Sequence, residues 1–345
     1  MKYNRYTLGE LVQVKYGKNQ KNVLSKTGEY PIYGTGGLMG YATEPLYTKP
    51  SVLIGRKGTI DKVKYVDHPF WTVDTLFYTI VNEELIVPKY LYYRMSTMDL
   101  SEYNEGTTIP SLRTETLNRI EFDIPSIEDQ KIILSFLEPI DEKIAINTKI
   151  NNNLLEQAQA LYTSMFITNA DPSWQQGRLS DLITVRYGKD HKKLADGMYP
   201  VYGSGGIMRY AERPLYEHES VLIPRKGTLN NVMYVNEPFW SVDTMFYTEM
   251  RIPNVAKFVY HFVKSKDLAS MNAGSAVPSM TTDILNAMEL AIPSQVALAE
   301  FEDLVAPMYR AMKTNDIQTT QLINLRDSIL PKLMSGELDV SAIEI

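Results

Sequence analysis

The 345-residue chain contains no cysteine. That excludes disulfides, thiolate metal sites and a cysteine nucleophile, and it fits a reducing, cytoplasmic setting. No stretch approaches ~18 consecutive apolar residues, so no membrane span is expected. Met1 to Glu10 is mixed and polar, unlike a secretory signal. Histidine is scarce. His68, His191, His218 and His261 show neither ligand spacing nor repeat symmetry, and they read as single surface residues with no metal site. Gly55-Arg-Lys-Gly-Thr59 is too short for a phosphate loop. The chain also lacks an Asn-Pro-Pro-aromatic or Asp-Pro-Pro-aromatic tetrad for holding a flipped base. Asp141-Glu142-Lys143 only superficially resembles a nuclease carboxylate–lysine set, because it falls on a helical stretch that reads as solvated. No catalytic residues are expected.

Positive charge is in deficit overall, at net −6. The deficit is local: residues 121–171 hold 3 Lys/Arg against 9 Asp/Glu, whereas residues 1–64 hold 11 against 4. Local charge sets attraction to phosphate, so nucleic acid stays open as a partner.

What the chain does have is a tandem repeat. Tyr33-Gly34-Thr35-Gly36-Gly37 returns as Tyr202-Gly203-Ser204-Gly205-Gly206. Ser51-Val-Leu-Ile-Gly-Arg-Lys-Gly-Thr59 returns as Ser220-Val-Leu-Ile-Pro-Arg-Lys-Gly-Thr228. Phe70-Trp-Thr-Val-Asp-Thr-Leu-Phe-Tyr-Thr79 returns as Phe239-Trp-Ser-Val-Asp-Thr-Met-Phe-Tyr-Thr248. The offset is 169 throughout, and it persists within a few residues at Gly106…Pro110-Ser111 against Gly274…Pro278-Ser279. Short apolar runs bounded by Gly, Pro and Asp read as strands, among them Val52–Ile54 and Leu76–Thr79. Lys89–Met98 and Val255–Lys264 read as short helices. The class is α+β.

Two long helical stretches follow the repeated units. The first carries Ile133, Ile140, Asn147, Leu154 and Leu161, interleaved with Leu137, Ile144, Asn151, Ala158 and Met165. The second carries Leu304, Ala311, Gln318 and Leu325, interleaved with Met308, Asn315, Leu322 and Ile329. Alternating four-three steps with polar residues at mid-seam predict the seam of a coiled coil, two helices packed side by side in fixed register. The alternative is two unrelated amphipathic helices, each packed on its own unit. Ser126 is the expected N-cap of the first, Pro139 should kink or split it, and Pro331 with Gly336 should close the second.

Arg56-Lys57-Gly58-Thr59 and Arg225-Lys226-Gly227-Thr228 place two bases between an apolar strand and a Gly turn, suited to guanine edges or phosphate. The two Tyr-Gly-x-Gly-Gly stretches offer exposed backbone N–H groups for close approach to a phosphate backbone. Candidate DNA contacts are therefore Tyr33, Gly36, Gly37, Arg56, Lys57 and Thr59 in the first unit. In the second they are Tyr202, Gly205, Gly206, Arg225, Lys226 and Thr228. Arg113 and Arg209 lack basic counterparts and add an asymmetry. Lys15, Lys18, Lys21, Arg186, Lys189, Lys192 and Lys193 add charge. Phe70-Trp71 and Phe239-Trp240 read as core. Asp74 and Asp243 read as hydrogen-bonded structural carboxylates.

Ile124-Pro-Ser-Ile-Glu-Asp-Gln130, Ala160-Leu-Tyr-Thr-Ser-Met-Phe166 and Leu330-Pro-Lys-Leu-Met-Ser-Gly-Glu-Leu338, together with the repeated glycine and Arg-Lys-Gly-Thr stretches, complete a pattern. It resembles the specificity subunit of a Type I restriction–modification system over nearly the whole chain. The second long helix lacks the Glu-x-Gln start. The resemblance implies target-recognition domains at 1–126 and 171–294. It also implies antiparallel coiled-coil helical spacers at 127–170 and 295–345, related by a pseudo-two-fold. Each domain would read half of a split site on double-stranded DNA. Two modification subunits, carrying S-adenosylmethionine and methylating adenine, would dock on the spacers, for which Ile140, Asn147, Asn151, Leu154, Asn315 and Leu322 are the candidates. Motor-nuclease subunits would join them. The chain itself would bind no cofactor and catalyse nothing. The alternatives are a stand-alone DNA-modifying enzyme with a duplicated reading half, and a tandem adhesion or carbohydrate module prompted by 23 tyrosines.

Overall fold

The computed structural model describes residues 1–271 and 279–340; the Gly274–Pro278 limb of the repeat and the end of the 295–345 segment lie outside them. The chain divides into two compact units. One is Met1–Asn147 with Ile317–Ile345, the other Thr148–Asp316.

Each unit is built alike. In the first, an antiparallel sheet has the order Val12–Tyr16, Leu76–Val81, Ser51–Gly55, Val63–Val66. In the second the order is Ile183–Tyr187, Met245–Met250, Ser220–Pro224, Met233–Val235. The central strand Ser51–Gly55 is buried at every position, because helix Pro88–Ser96 covers it. Its one polar side chain is satisfied within the sheet: Ser51 Oγ donates to the Thr79 carbonyl at 2.8 Å, and Val52 N–H donates to Thr79 Oγ1 at 2.9 Å. Ser220 and Thr248 repeat both bonds at 2.8 Å. A buried hydroxyl without a partner is costly, so the repeat keeps both members. Each unit also holds a glycine hairpin, Tyr30–Gly34 with Gly37–Ala42 and Asp196–Gly203 with Gly206–Ala211. Phe70, Trp71, Phe239 and Trp240 are buried, as expected.

The first long helix, Ile127–Thr163, starts at Ser126, whose Oγ accepts from Asp129 N–H at 3.1 Å. Gln130 is fully buried just inside. Its Oε1 accepts from Val87 N–H, and its Nε2 donates to the Leu85 and Pro125 carbonyls. The helix runs through Pro139 without a break, so of the expected kink or split the split does not occur. The second, Gln295–Ser335, runs through Pro331 and ends at Gly336, whose φ of +77° a Cβ would strain.

Within each unit the two helices run antiparallel. In the first, Asp141 meets Arg326, and Asn147 Nδ2 donates to Gln318 Oε1 and Thr319 Oγ1 at 3.0 and 3.2 Å. In the second, Asn315 Nδ2 donates to Asn151 Oδ1 at 2.8 Å, and Tyr162 packs on Phe301. The expected columns on the first helix face inward, and so do Met308, Asn315, Leu322 and Ile329 on the second. The remaining column is off by one residue. Leu304, Ala311, Gln318 and Leu325 are exposed, and Val305, Met312, Thr319 and Arg326 take their place. Thr319 and Arg326 look polar in sequence, while Leu304 and Leu325 supply an apolar signal on the outer face. At Thr319 and Arg326 the inward side chain is the one with a partner, Asn147 and Asp141 respectively, whereas Val305 and Met312 follow hydropathy.

Candidate nucleic-acid interface

In the first unit four loops converge on the turn Val73-Asp74-Thr75. The Thr75 carbonyl accepts the backbone N–H groups of Arg56 and Lys57 at 2.9 and 3.3 Å. The Asp74 carbonyl accepts Arg56 Nη1 at 2.7 Å. Val73 N–H donates to the Tyr33 carbonyl at 3.0 Å, anchoring the glycine hairpin. Gly17 lies so close beneath that a Cβ would fall 2.0 Å from the Val73 carbonyl oxygen. The fourth loop joins through Leu112 N–H on the Arg56 carbonyl and the Lys57–Ser111 bridge. The second unit repeats the plan on Val242-Asp243-Thr244. Arg225 N–H reaches the Thr244 carbonyl at 2.8 Å and Arg225 Nη1 the Asp243 carbonyl at 3.2 Å. Asp74 and Asp243 thus act through backbone carbonyls, and their side chains are exposed, which corrects the expectation of structural carboxylates.

Each arginine is held on a second side. The guanidinium of Arg56 lies 5.1 Å from the ring of Tyr16, and that of Arg225 lies 5.4 Å from the ring of Tyr187. The rings are about half exposed and stand edge-on to Phe77 and Phe246. Carbonyl and ring together hold the guanidinium of a residue that stays partly exposed, and a bidentate base contact requires such a preset group. Beyond each tyrosine, Trp71 Nε1 donates to the Lys18 carbonyl at 2.9 Å and Trp240 Nε1 to the Lys189 carbonyl at 2.8 Å. Both lysines are held at the surface by buried indoles.

The other candidates fall in different places. Lys57, Thr59, Lys226 and Thr228 are exposed at the loop tips. Gly36 and Gly205 are exposed, with Gly37 and Gly206 beside them at φ of +113° and +112°. Tyr33 is buried against Phe70, its hydroxyl 3.0 Å from His68 Nε2, and Tyr202 is half-buried; both rings support the hairpin from below. Arg113 joins Arg56 and Lys57 around a cavity of about 330 Å³, with Tyr16 and Glu115 also on its wall, and pairs with Glu105 at 3.0 Å. Arg209 is turned back, donating to the Leu194 carbonyl and to Asp196 at 2.9 and 2.8 Å. On the long helices, Ile140, Asn147, Asn151, Leu154, Asn315 and Leu322 face the seam, whereas Ile146, Ile150, Ile317 and Leu325 are exposed.

The family model of the Type I restriction modification DNA specificity domain matches residues 2–156 and again 172–301. The chain belongs to the Type I DNA-specificity family. Among its relatives, the MjaIX specificity subunit of Methanocaldococcus jannaschii is 26% identical, covering 86% of this chain and 79% of that one. A putative type I specificity subunit of Mycoplasma pneumoniae is 23% identical over 96% of both. The crystal structure of the S subunit from M. genitalium superimposes with a TM-score of 0.63 at 19% identity, covering 97% and 96% of the two chains, and shares the fold.

Within this DNA-specificity chain, Tyr16 and Tyr187 join the site from outside the loops that the sequence singles out. Tyr16-Gly17-Lys18 does recur as Tyr187-Gly188-Lys189, but at an offset of 171, because the following loop is two residues shorter in the second unit. His261 also departs from expectation. It is fully buried, not a surface residue.

Proposed function

We propose that this chain is the non-catalytic DNA-reading subunit of a cytoplasmic Type I restriction–modification complex. It reads a bipartite, near-palindromic site and docks two modification subunits that carry S-adenosylmethionine, with motor-nuclease subunits joining for cleavage. The observation that carries this reading is the duplicated clamp: one arginine per unit, fixed between a backbone carbonyl and a tyrosine ring beside exposed lysines. A preoriented guanidinium suits the O6/N7 edge of guanine, and the surrounding lysines suit phosphate. Two such clamps in one chain support two half-sites. The exposed Ile146, Ile150, Ile317 and Leu325 on the outer faces of the long helices are available to partner subunits.

Expressing the chain with its modification subunit in a host and mapping methylated adenines tests this. The expected result is methylation at one split motif that disappears when the chain is omitted. Methyl transfer from labelled S-adenosylmethionine by the purified chain alone would favour the stand-alone enzyme instead.

A further inference from the structure

The glycine hairpins carry a feature that the basic loops leave unexplained. Leu38, Met39 and Tyr41 are 54%, 56% and 45% exposed, and Ile207, Met208 and Tyr210 in the second unit are 49%, 60% and 49% exposed. Scattered apolar residues on a surface are ordinary. A matched trio at the same hairpin position in both units is not scattered. Each methionine is also seated alike: a Cβ on Gly34 would fall 2.4 Å from the Met39 sulfur, and one on Gly203 would fall 2.4 Å from that of Met208. The glycine is what lets the thioether lie across the hairpin.

Both hairpins adjoin the arginine clamps. In the first unit Gly34 lies beside Val73, next to the Asp74 that holds Arg56. In the second, Ser204 at the hairpin tip packs on Gly227, and Asn231 Nδ2 donates to its carbonyl at 2.8 Å. The surroundings are cationic, with Lys18 and Lys57 exposed in one unit and Lys189 and Lys226 in the other. An apolar face in a cationic neighbourhood complements base edges inside a phosphate-walled groove better than it complements a second copy of the same cationic surface.

Building on the DNA-specificity reading, we propose that these hairpins are apolar base readers. Leu38 with Met39, and Ile207 with Met208, cover the 5-methyl group of a thymine next to the base pair contacted by Arg56 or Arg225. The thymine methyl is the one apolar group that base pairs present in the major groove. Methionine and leucine can meet it without a hydrogen-bonding requirement.

The test uses the chain assembled with its modification subunits and the duplex defined by methylation mapping. In Met39→Ala and Met208→Ala complexes, preference for the cognate duplex over an unrelated one should fall about three- to tenfold, the range expected for losing a few buried carbon atoms. Binding to unrelated DNA and its salt dependence should not change. Replacing thymidine by deoxyuridine should weaken the wild-type complex to the same degree and leave the alanine variant no weaker, while Met39→Leu should restore preference. Unchanged cognate preference in both alanine variants overturns the proposal. So does equal loss on every duplex, loss of subunit assembly with DNA binding intact, or a cognate half-site without thymine. A wild-type complex with no sequence preference overturns the DNA-specificity reading itself, and this proposal with it.

Discussion

Tyr93 and His261 hold corresponding places on the short helices of the two units, and each fastens its helix to both long ones. The Tyr93 hydroxyl donates to Asp141 Oδ2 at 2.6 Å, and the other oxygen of Asp141 pairs with Arg326 at 2.9 Å. His261 Nδ1 lies 2.8 Å from Gln159 Oε1, and its Nε2 lies 2.9 Å from the Tyr309 hydroxyl. A neutral imidazole protonated on Nδ1 satisfies both neighbours, donating to Gln159 and accepting from Tyr309. One unit therefore closes its joint with a charged triad and the other with a neutral one.

The neutral joint makes the second unit sensitive to acid. Burial first, and then the nearby Lys264 ammonium, push His261 down from 6.5 to about 4. The folded state thus binds fewer protons than the unfolded chain between those values. Stability from this group is complete above about pH 6.5 and is lost as pH falls toward 4, amounting to about 3 kcal/mol. Hydrogen-exchange protection factors of the second unit, referred to the intrinsic rate at each pH, should fall over that window, and His261→Gln should flatten the dependence. A second unit equally protected at pH 7 and pH 4.5 would contradict the assignment.

The charged joint responds to substitution. Asp141→Ala leaves the buried Tyr93 hydroxyl without its acceptor and Arg326 with Asp327 alone, which should cost about 2 kcal/mol. Asp141→Asn keeps an acceptor for Tyr93 and should cost less. Denaturant melts of the two variants measure the difference. Equal stability of Asp141→Ala and wild type would show the joint to be dispensable.

These joints explain what the sequence could disclose. The repeat, the strands around Val52–Ile54 and Leu76–Thr79, the short helices and the first helix's seam follow from periodicity and turn chemistry, which act locally. The joints and the clamps depend on pairs far apart in the chain, such as Asp141 with Arg326 and Arg56 with Asp74. In the clamps the acceptor is a backbone carbonyl, which no residue identity records. Arg326 occupies a seam position because Asp141 faces it, so hydropathy pointed to Leu325 instead. Tyr16 and Tyr187 were hidden by a two-residue change in loop length. Arg113 stands out in the sequence for lacking a basic counterpart, and the structure brings it to Arg56 and Lys57.

The clamps separate reading from holding. Arg56→Ala or Arg225→Ala should cost about 1–3 kcal/mol on the cognate duplex and little on unrelated DNA, if each guanidinium is bidentate to guanine. Tyr16→Ala should reproduce part of that loss by freeing the Arg56 plane, while Tyr16→Phe should not. Lys15→Ala should weaken all duplexes alike and reduce the salt slope by about one. Titrations at several salt concentrations distinguish these effects. Arginine variants that keep full cognate preference would remove the clamps from base readout.

The two clamps share the same arginine, lysine, glycine and threonine, the same tyrosine platform and the same carbonyl anchor. Readers built this alike should prefer similar bases. Two-fold related readers of this kind map onto inverted-repeat DNA, so a near-palindromic site is the expected outcome. Departures from symmetry should arise where the clamps differ. Arg113 lines the cavity beside Arg56, whereas its counterpart Thr281 caps a short helix by accepting Ile284 N–H at 3.3 Å. Arg209 replaces Gly40 but is turned back onto Leu194 and Asp196, so it contributes less to readout than its identity suggests. The extra guanine preference should therefore fall in the half-site read by the first unit. Arg113→Thr should make the two half-sites more alike, with a change of about 1–3 kcal/mol at one base pair. Sequencing of methylated sites from wild type and the variant decides it. Half-sites without inverted similarity would mean that the shared loops preserve the fold and leave base choice to residues outside the clamps.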